Sequence, residues 1–459
     1  MAQADVTVVD SAAPLDRDAA ASDAPTHRSS DAWRWVPTLY FVQGLPYVLV
    51  VNVSVVLYQN LGLSTRQIAE YTSYLYLPWV IKPLWSPLVD VLGAKRRWIV
   101  NTQLMMALGL AAIALSVTSP HFLLWTLAGF ALLAFCSATH DIAADGFYMK
   151  ALPPHDQALY VGIRNTAWRL AMVAGTGLLV MFVGHLHDQG LSWFGVQAMP
   201  PAEAWRVGML VAAVTLFVLM IYHVIVLPRP ARDRQPSAAT IPSVLAEMAE
   251  TVRTFFAKPG LPATLAFLLL YRFGEAQLAK ITLPFLLADR AKGGLELNNE
   301  QVGLAYGIVG VVMLLVGGIL GGVTASRFGL KRCLPWMAMA IHLPNIVFLA
   351  LAYWQPTQFW LVNLGLGVEQ FGYGFGFAAY MLYMLYVARG KHETAHYALC
   401  TGFMAMGNMI PGWFSGRIQE ALGFTGFFIW IMIATIPSFI VAAIVYPTID
   451  SRFGRRDAA

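Results

Sequence analysis

Ser86 to Arg97 reads S-P-L-V-D-V-L-G-A-K-R-R, and Gly322 to Arg332 reads G-V-T-A-S-R-F-G-L-K-R. Aligned, they place Asp90 on Ser326, Gly93 on Gly329 and Lys95-Arg96 on Lys331-Arg332, with Arg97 extending the first cation run. Each glycine permits a tight turn, and the cations behind it hold that turn on the side of a membrane that retains positive charge. A carboxylate at Asp90 can cap the positive N-terminus of a neighbouring helix in one conformation and release it in another. The second copy carries Ser326, so any charged latch is expected only on the first. A turn repeated in register implies a chain built of two similar halves.

The surroundings of these turns are apolar. The 459 residues are 58% hydrophobic and 12% charged, with mean hydropathy +0.60, where a soluble domain carries roughly 25% charged residues. That identifies an integral membrane protein. A span needs ~20 mostly apolar residues, which predicts twelve helices at roughly 35–57, 67–90, 98–118, 122–151, 157–183, 205–227, 260–289, 299–325, 331–353, 358–388, 394–421 and 424–446. The expected fold is all-α: two six-helix bundles over 34–227 and 260–447, a linker over 228–259, and tails over 1–33 and 448–459.

Lys and Arg cluster in alternate short loops: Lys95 to Arg97, Lys150, Arg229 to Arg234, Arg327 to Arg332, Arg389-Lys391 and Arg452 to Arg456. The positive-inside rule then puts both termini and the linker in the cytoplasm. The first tail, rich in Ala, Asp and Ser, lacks a signal-peptide core and reads as disordered. Within the linker, Pro242 to Lys258 reads as either a plain tether or an interfacial helix with Val244, Leu245, Met248, Val252, Phe255 and Phe256 towards lipid. The net charge of +5 needs no nucleic acid to explain it. Cys136, Cys333 and Cys400 have no ligand spacing, so neither disulfides, a metal nor a cofactor is expected.

Against this background the polar residues inside spans are informative, because intramembrane charge is costly and marks function by default. Cys136 to Lys150, C-S-A-T-H-D-I-A-A-D-G-F-Y-M-K, holds His140, Asp141 and Asp145. Counted from Pro153-Pro154, Asp141 lies about twelve residues up one helix and Arg164 about eleven up the next, at similar depth, so the two can pair; Asp141 and Asp145, at i and i+4, share a face, so one arginine can serve both. Asp141 reads as either a proton carrier or a permanently ionised clamp; Asp145, nearer the rim, reads as structural. Arg169 lies deeper and suits a substrate carboxylate or pyrophosphate. Arg272 and Glu275 are i, i+3 neighbours able to neutralise each other. Glu275, Lys280 and Glu369 are the remaining intramembrane charges, and the glycines of V-E-Q-F-G-Y-G-F-G (Val368 to Gly376) let a helix or a substrate approach closely. Trp35, Tyr40, Tyr47, Tyr271, Tyr373, Tyr380 and Tyr383 offer faces for pyranose rings, although most membrane aromatics are core or interfacial.

An H-x-x-x-x-D acyltransferase reading of His140 and Asp145 fails, since i and i+5 are about 140° apart on a helix and no nucleophile accompanies them. No enzyme is expected. A receptor is disfavoured because a protein that moves nothing need not bear mid-membrane charge.

The paired turns resemble the loop signature of the major facilitator superfamily, G-x-x-x-D-[RK]-x-G-x-[RK]-[RK], with Ser86 and Val91 departing from it. Further segments resemble the muropeptide permease AmpG family and, more distantly, the acetyl-CoA transporter family. They are F-V-Q-G-L-P-Y (Phe41 to Tyr47), K-P-L-W-S-P-L-V-D (Lys82 to Asp90), F-C-S-A-T-H-D-I-A-A-D (Phe135 to Asp145), W-R-L-A-M (Trp168 to Met172), L-Y-R-F-G-E-A (Leu270 to Ala276) and T-A-H-Y-A-L-C (Thr394 to Cys400). The resemblance implies an inner-membrane, proton-coupled importer of N-acetylhexosamine-containing glycan or glycopeptide fragments, working as a monomer by alternating access, with the eleventh helix as the Asp90 partner. A carrier of another polar metabolite, such as a siderophore or acyl-cofactor, is the alternative. His140 and His396 stand where that family has glutamine, which bears on the substrate, since only imidazole gains charge near neutral pH. The proton-coupling candidates are Asp141, Glu275, Glu369 and Asp145. The substrate-binding candidates are Gln43, His140, Arg164, Arg169, Lys280, Gln370, Tyr373 and His396. The gating-loop candidates are Asp90, Gly93, Lys95, Arg96, Arg97, Gly329, Lys331 and Arg332.

Overall fold

A computed structural model describes residues 29–86, 89, 93–152, 154–190, 195, 197–230, 233, 241–390 and 393–454. Asp90 and most of the first tail lie outside the described residues.

The first half begins with α1 (Val36–Val48, the π-helical turn Leu49–Val53, then Ser54–Asn60) and a broken α2 (Thr65–Tyr74, Leu77–Ile81, Lys82–Leu84). It continues with α3 (Lys95–Ser116), α4 (Phe122–Ala151), α5 (Pro154–Met172, Val173–Leu179, Val180–Asp188) and α6 (Pro201–Val226). A linker helix, Ile241–Phe256, leads to α7 (Leu261–Leu270, Phe273–Leu287) and α8 (Asn299–Val302, Gly303–Gly310, Val311–Phe328). α9 (Leu330–His342, Leu343–Asn345, Ile346–Trp354) and α10 (Phe359–Ala388) follow. Residues 393–422 form α11 and 424–434, continued by Ile436–Val445, form α12; Gly423, with φ 68°, makes the turn between them.

Nine stretches among the described residues are long and apolar enough to cross a membrane, and one of these, Ala395–Thr448, holds both α11 and α12. α2 is interrupted at Leu75-Tyr76 and α7 at Tyr271-Arg272, so neither stands alone as a continuous span. The protein is an all-helical, multi-pass membrane protein.

The halves repeat at their turns. α2 opens with a capping box of Ser64 and Gln67, and α8 opens with one of Asn298 and Gln301; each satisfies backbone N–H groups that a helix start leaves free. At the basic ends Gly93 and Gly329 have φ of 106° and 81°, the left-handed region that glycine alone enters without cost. Behind them Arg96 donates to the Val224 and Leu227 carbonyls that end α6, and Lys331 reaches the Pro447 carbonyl that ends α12 at 3.5 Å. A signature-loop cation thus meets the negative end of the last helix in each half. Lys95 instead threads inward, almost wholly buried against Gly146, with its Nζ on the Val89 carbonyl.

The contacts that join the halves gather at the end away from the basic loops. α5 crosses α8 so closely that a Cβ on Gly307 would lie 2.4 Å from the Gly177 Cα. Nearby, Asn299 Nδ2 donates to Asn60 Oδ1 at 2.7 Å and His185 meets Glu300 at 3.0 Å. α2 lies on α11, where Arg66 reaches Glu420 at 3.3 Å and Arg417 reaches Glu70 at 2.6 Å. The interface is therefore closed at this end, and central polar side chains such as Lys82 and Asp141 keep 29% and 16% exposure.

The linker helix lies at 95° to α7, the attitude of a helix along a membrane surface. Its expected lipid face is only partly free. Leu245 and Phe256 are exposed, but Phe255 is fully buried and stacks on Phe403, because this end of the helix docks on α11. Upstream, Asp233 accepts from the backbone N–H groups of Lys95 at 2.8 Å and Arg96 at 3.1 Å, capping α3 from the linker.

Candidate functional site

Of the two acids on one face of α4 that Arg164 could serve, the structure gives it Asp145. Arg164 donates to Asp145 at 2.9 Å, not to Asp141, and the Tyr40 hydroxyl donates to the same oxygen at 3.0 Å. The guanidinium also covers the rings of Tyr40 and Tyr148 at 4.2 and 4.7 Å. Asp141 faces Lys82 of α2 at 3.5 Å and bonds Gln43. The reason lies in side-chain direction: on a helix the Cα–Cβ bond tilts toward the N-terminus. α4 and α5 are antiparallel, so the arginine leans toward the basic end and the aspartates lean away. A guanidinium then meets the carboxylate about one turn nearer the rim than its own Cα.

Two expectations are corrected by position. His140 is fully buried inside the first half, not in the cleft: its Nε2 lies 3.0 Å from Gln103 Nε2, and Gln103 Oε1 lies 3.0 Å from His223 Nδ1. It points toward α3 and α6, on the far side of α4 from the interface. His396 lies under the linker helix, 3.1 Å from Thr254 Oγ1 and 3.2 Å from the Thr251 carbonyl. Both imidazoles hold protein to protein, leaving neither placed to touch a substrate.

In the second half the break in α7 sets the chemistry. Tyr271-Arg272 leaves the helix, which turns Arg272 toward Glu275 at 2.7 Å and toward the Tyr373 hydroxyl at 2.8 Å; all three sit between α7 and α10. Lys280 is buried between the halves, donating to Thr72 Oγ1 at 2.9 Å over the Tyr76 ring at 4.8 Å. Glu369 is 4% exposed, and its hydrogen-bond partner is the Gln370 amide at 2.9 Å. No ion pair with a cation reaches it among the described residues. The glycines around it pack helices: Gly372 and Gly376 meet the Ala340 and Met337 carbonyls of α9, and Gly374 meets Leu314 of α8.

Arg169 is the counterpart in the first half. Its polar contact is the Met172 sulfur at 3.6 Å, and it lies over Trp168 at 5.4 Å; no carboxylate pairs with it among the described residues. Tyr47 packs on Trp79 and Trp168 at 5.0 and 5.7 Å. The other aromatics singled out, Trp35, Tyr40, Tyr271, Tyr380 and Tyr383, are core. At the central level the halves thus face each other with aromatic surface, two cations that no carboxylate pairs among the described residues, Arg169 and Lys280, and one acid, Glu369, that no cation pairs. Such a site can grip an anionic, ring-bearing solute and take up a proton.

Lys82, Gln103, His223 and Asp233 were not singled out from the sequence as partners. Lys82 had a legible signal, a lone cation within the second span; the others lack one, since their partners lie on distant helices.

Residues 38–384 match the Major Facilitator Superfamily. The anhydromuropeptide permease of Escherichia coli (strain K12) is 26% identical over 423 residues, covering 90% of this chain and 79% of that protein. A putative transporter AmpG 4 of Rickettsia conorii is 23% identical over 417 residues, 88% and 94% of the two chains. Among solved structures, a D-xylose–proton symporter superposes with TM-score 0.70 at 12% identity over 93% of this chain and 99% of that one. A bacterial homologue of the human lysosomal transporter Spinster, inward-facing and unoccupied, gives 0.65 at 15% identity over 94% and 98%. The match over most of the chain, on twin helical halves joined by repeated turns, means that the chain belongs to the Major Facilitator Superfamily.

Proposed function

We propose that this protein is an inner-membrane permease that imports N-acetylhexosamine-containing glycan or glycopeptide fragments with protons. In this reading both termini are cytoplasmic and one chain is the working unit. The name of the Escherichia coli relative supports the substrate class. The observation that carries the reading is the set of charges without an ionic partner among the described residues: Arg169 in the first half, and Glu369 and Lys280 in the second. Burying an unpaired charge is strongly unfavourable unless something compensates it. Arg169 takes a substrate carboxylate, with Tyr47 and Trp168 against the sugar, and Glu369 takes the proton. Asp141, held by Lys82, and Glu275, held by Arg272, then act as clamps. Given cytoplasmic basic loops, the closed end is the outer one, so the outer gate is shut in this state of an alternating-access cycle about a midplane site.

The test is uptake of labelled N-acetylglucosaminyl-anhydromuropeptide into proteoliposomes with an imposed pH gradient. The reading predicts accumulation that a protonophore collapses. Uptake indifferent to the gradient refutes the coupling, and no uptake of any glycan fragment refutes the substrate class.

A further inference from the structure

On the closed end, between the two halves, lies a depression of 830 Å³ whose lining includes Gln59, Asn60, Asn298, Asn299 and Gln419. The charges around it are paired among themselves: Lys292 with Asp289 at 2.7 Å, Arg66 with Glu420 at 3.3 Å, His187 with Asp188 at 3.9 Å. Hydrogen-bonding capacity, not net charge, is therefore what remains for a ligand.

Much of that capacity sits on four amides from both halves. Asn60 Oδ1 accepts from Trp205 Nε1 at 2.9 Å and from Asn299 Nδ2 at 2.7 Å, which leaves Asn60 Nδ2 to donate and Asn299 Oδ1 to accept. Asn299 is 7% exposed, and its Oδ1, like Gln59 Oε1, is buried without a partner. Gln419 of α11, in the same lining, makes no side-chain hydrogen bond among the described residues. A buried acceptor left unpaired forfeits the hydrogen bonds it makes to water, so the closed state holds these carbonyls at a disadvantage. Donors and acceptors of one ligand relieve it only as the Asn60–Asn299 contact between the halves parts.

We propose that this vestibule is a capture subsite for the neutral, hydroxyl- and N-acetyl-bearing part of a saccharide, whose groups take up Gln59, Asn60, Asn299 and Gln419. A ligand that satisfies these groups better when the halves separate favours opening, because differential affinity is what shifts a conformational equilibrium. Capture from outside thereby promotes opening of the outer gate. The inference rests on the outward placement of this end in the proposed function.

The experiment compares the full chain with Gln419→Leu and Gln59→Leu in sealed proteoliposomes, measuring KM separately for uptake and efflux, with binding of N,N′-diacetylchitobiose to the purified protein followed by tryptophan fluorescence. The expected result is an uptake KM raised about 2- to 10-fold in each variant, the worth of one neutral hydrogen bond, with uptake maximal rate and efflux KM unchanged, efflux maximal rate lowered by the same factor, as detailed balance requires, and chitobiose binding weakened in parallel. Uptake and efflux KM that rise together, or an uptake KM that stays put, overturn it. If the wild type moves no glycan fragment yet binds chitobiose, and Gln419→Leu weakens that binding, the proposed function fails and the capture subsite stands. A wild type that binds no chitobiose overturns the subsite.

Discussion

The two halves share a topology and a turn signature but dispose of their charges in opposite ways. In the first, both buried-region acids have cations, Asp145 with Arg164 and Asp141 with Lys82, and the residue left over is an arginine. In the second, the arginine is consumed by Glu275 and Tyr373, Lys280 is held by the Thr72 hydroxyl at the seam, and an acid, Glu369, is left with an amide alone among the described residues. Paired charges fix helices to one another. Unpaired ones wait for a partner, and on the proposed function the solute's charge falls to Arg169 in the first half and the proton to Glu369 in the second.

The comparison can be broken at the clamp first. Arg272 and Glu275 retain 10% and 7% side-chain exposure, and removing one member of a buried pair costs about 3–5 kcal/mol. Glu275→Gln should therefore lower thermal stability markedly, and Arg272→Met combined with Glu275→Leu should recover most of the loss. A single variant as stable as the wild type would mean that Glu275 is no clamp, and the assignment of the proton to Glu369 would lose its reason.

Next comes the leftover cation. Hydrogen bonds to a charged group contribute about 1.5–3 kcal/mol, so Arg169→Ala should raise KM for a carboxylate-bearing glycopeptide roughly 10- to 150-fold. The same variant should scarcely change KM for the peptide-free sugar. Equal losses on both substrates would show that Arg169 supports the fold and not the anion.

Much of the architecture was legible because it follows from single residues. Gly93 and Gly329 must turn, and uninterrupted apolar runs must cross, so halves and spans can be read directly. Partnerships were less legible. Asp141 and Arg164 share a depth along their axes, but the opposite lean of side chains on antiparallel helices sends the arginine to Asp145. His140 and His396 sit in polar-looking motifs, yet which way each faces depends on Gln103 and Thr254, more than thirty and more than a hundred residues away. The breaks in α2 and α7 were hidden because hydropathy does not register a helix that turns aside to pair a charge.

The smallest effect expected is at His140. The imidazole there meets an amide through Nε2 alone, in a buried chain that runs on to His223, and glutamine can supply the same hydrogen bond. His140→Gln should change stability by less than about 1 kcal/mol, the worth of one hydrogen bond, and leave substrate preference as it was. A changed preference would place His140 in the substrate path and undo the division between the halves.

The most direct test of that division is proton movement counted with the solute. Wild-type protein in proteoliposomes should take up protons when anhydromuropeptide is added and accumulate the solute against its gradient. Glu369→Gln should still exchange labelled for unlabelled solute across the membrane, but move no protons and accumulate nothing. If Glu369→Gln retains solute-dependent proton uptake, the acid left over in the second half is not the proton carrier, and the account is contradicted.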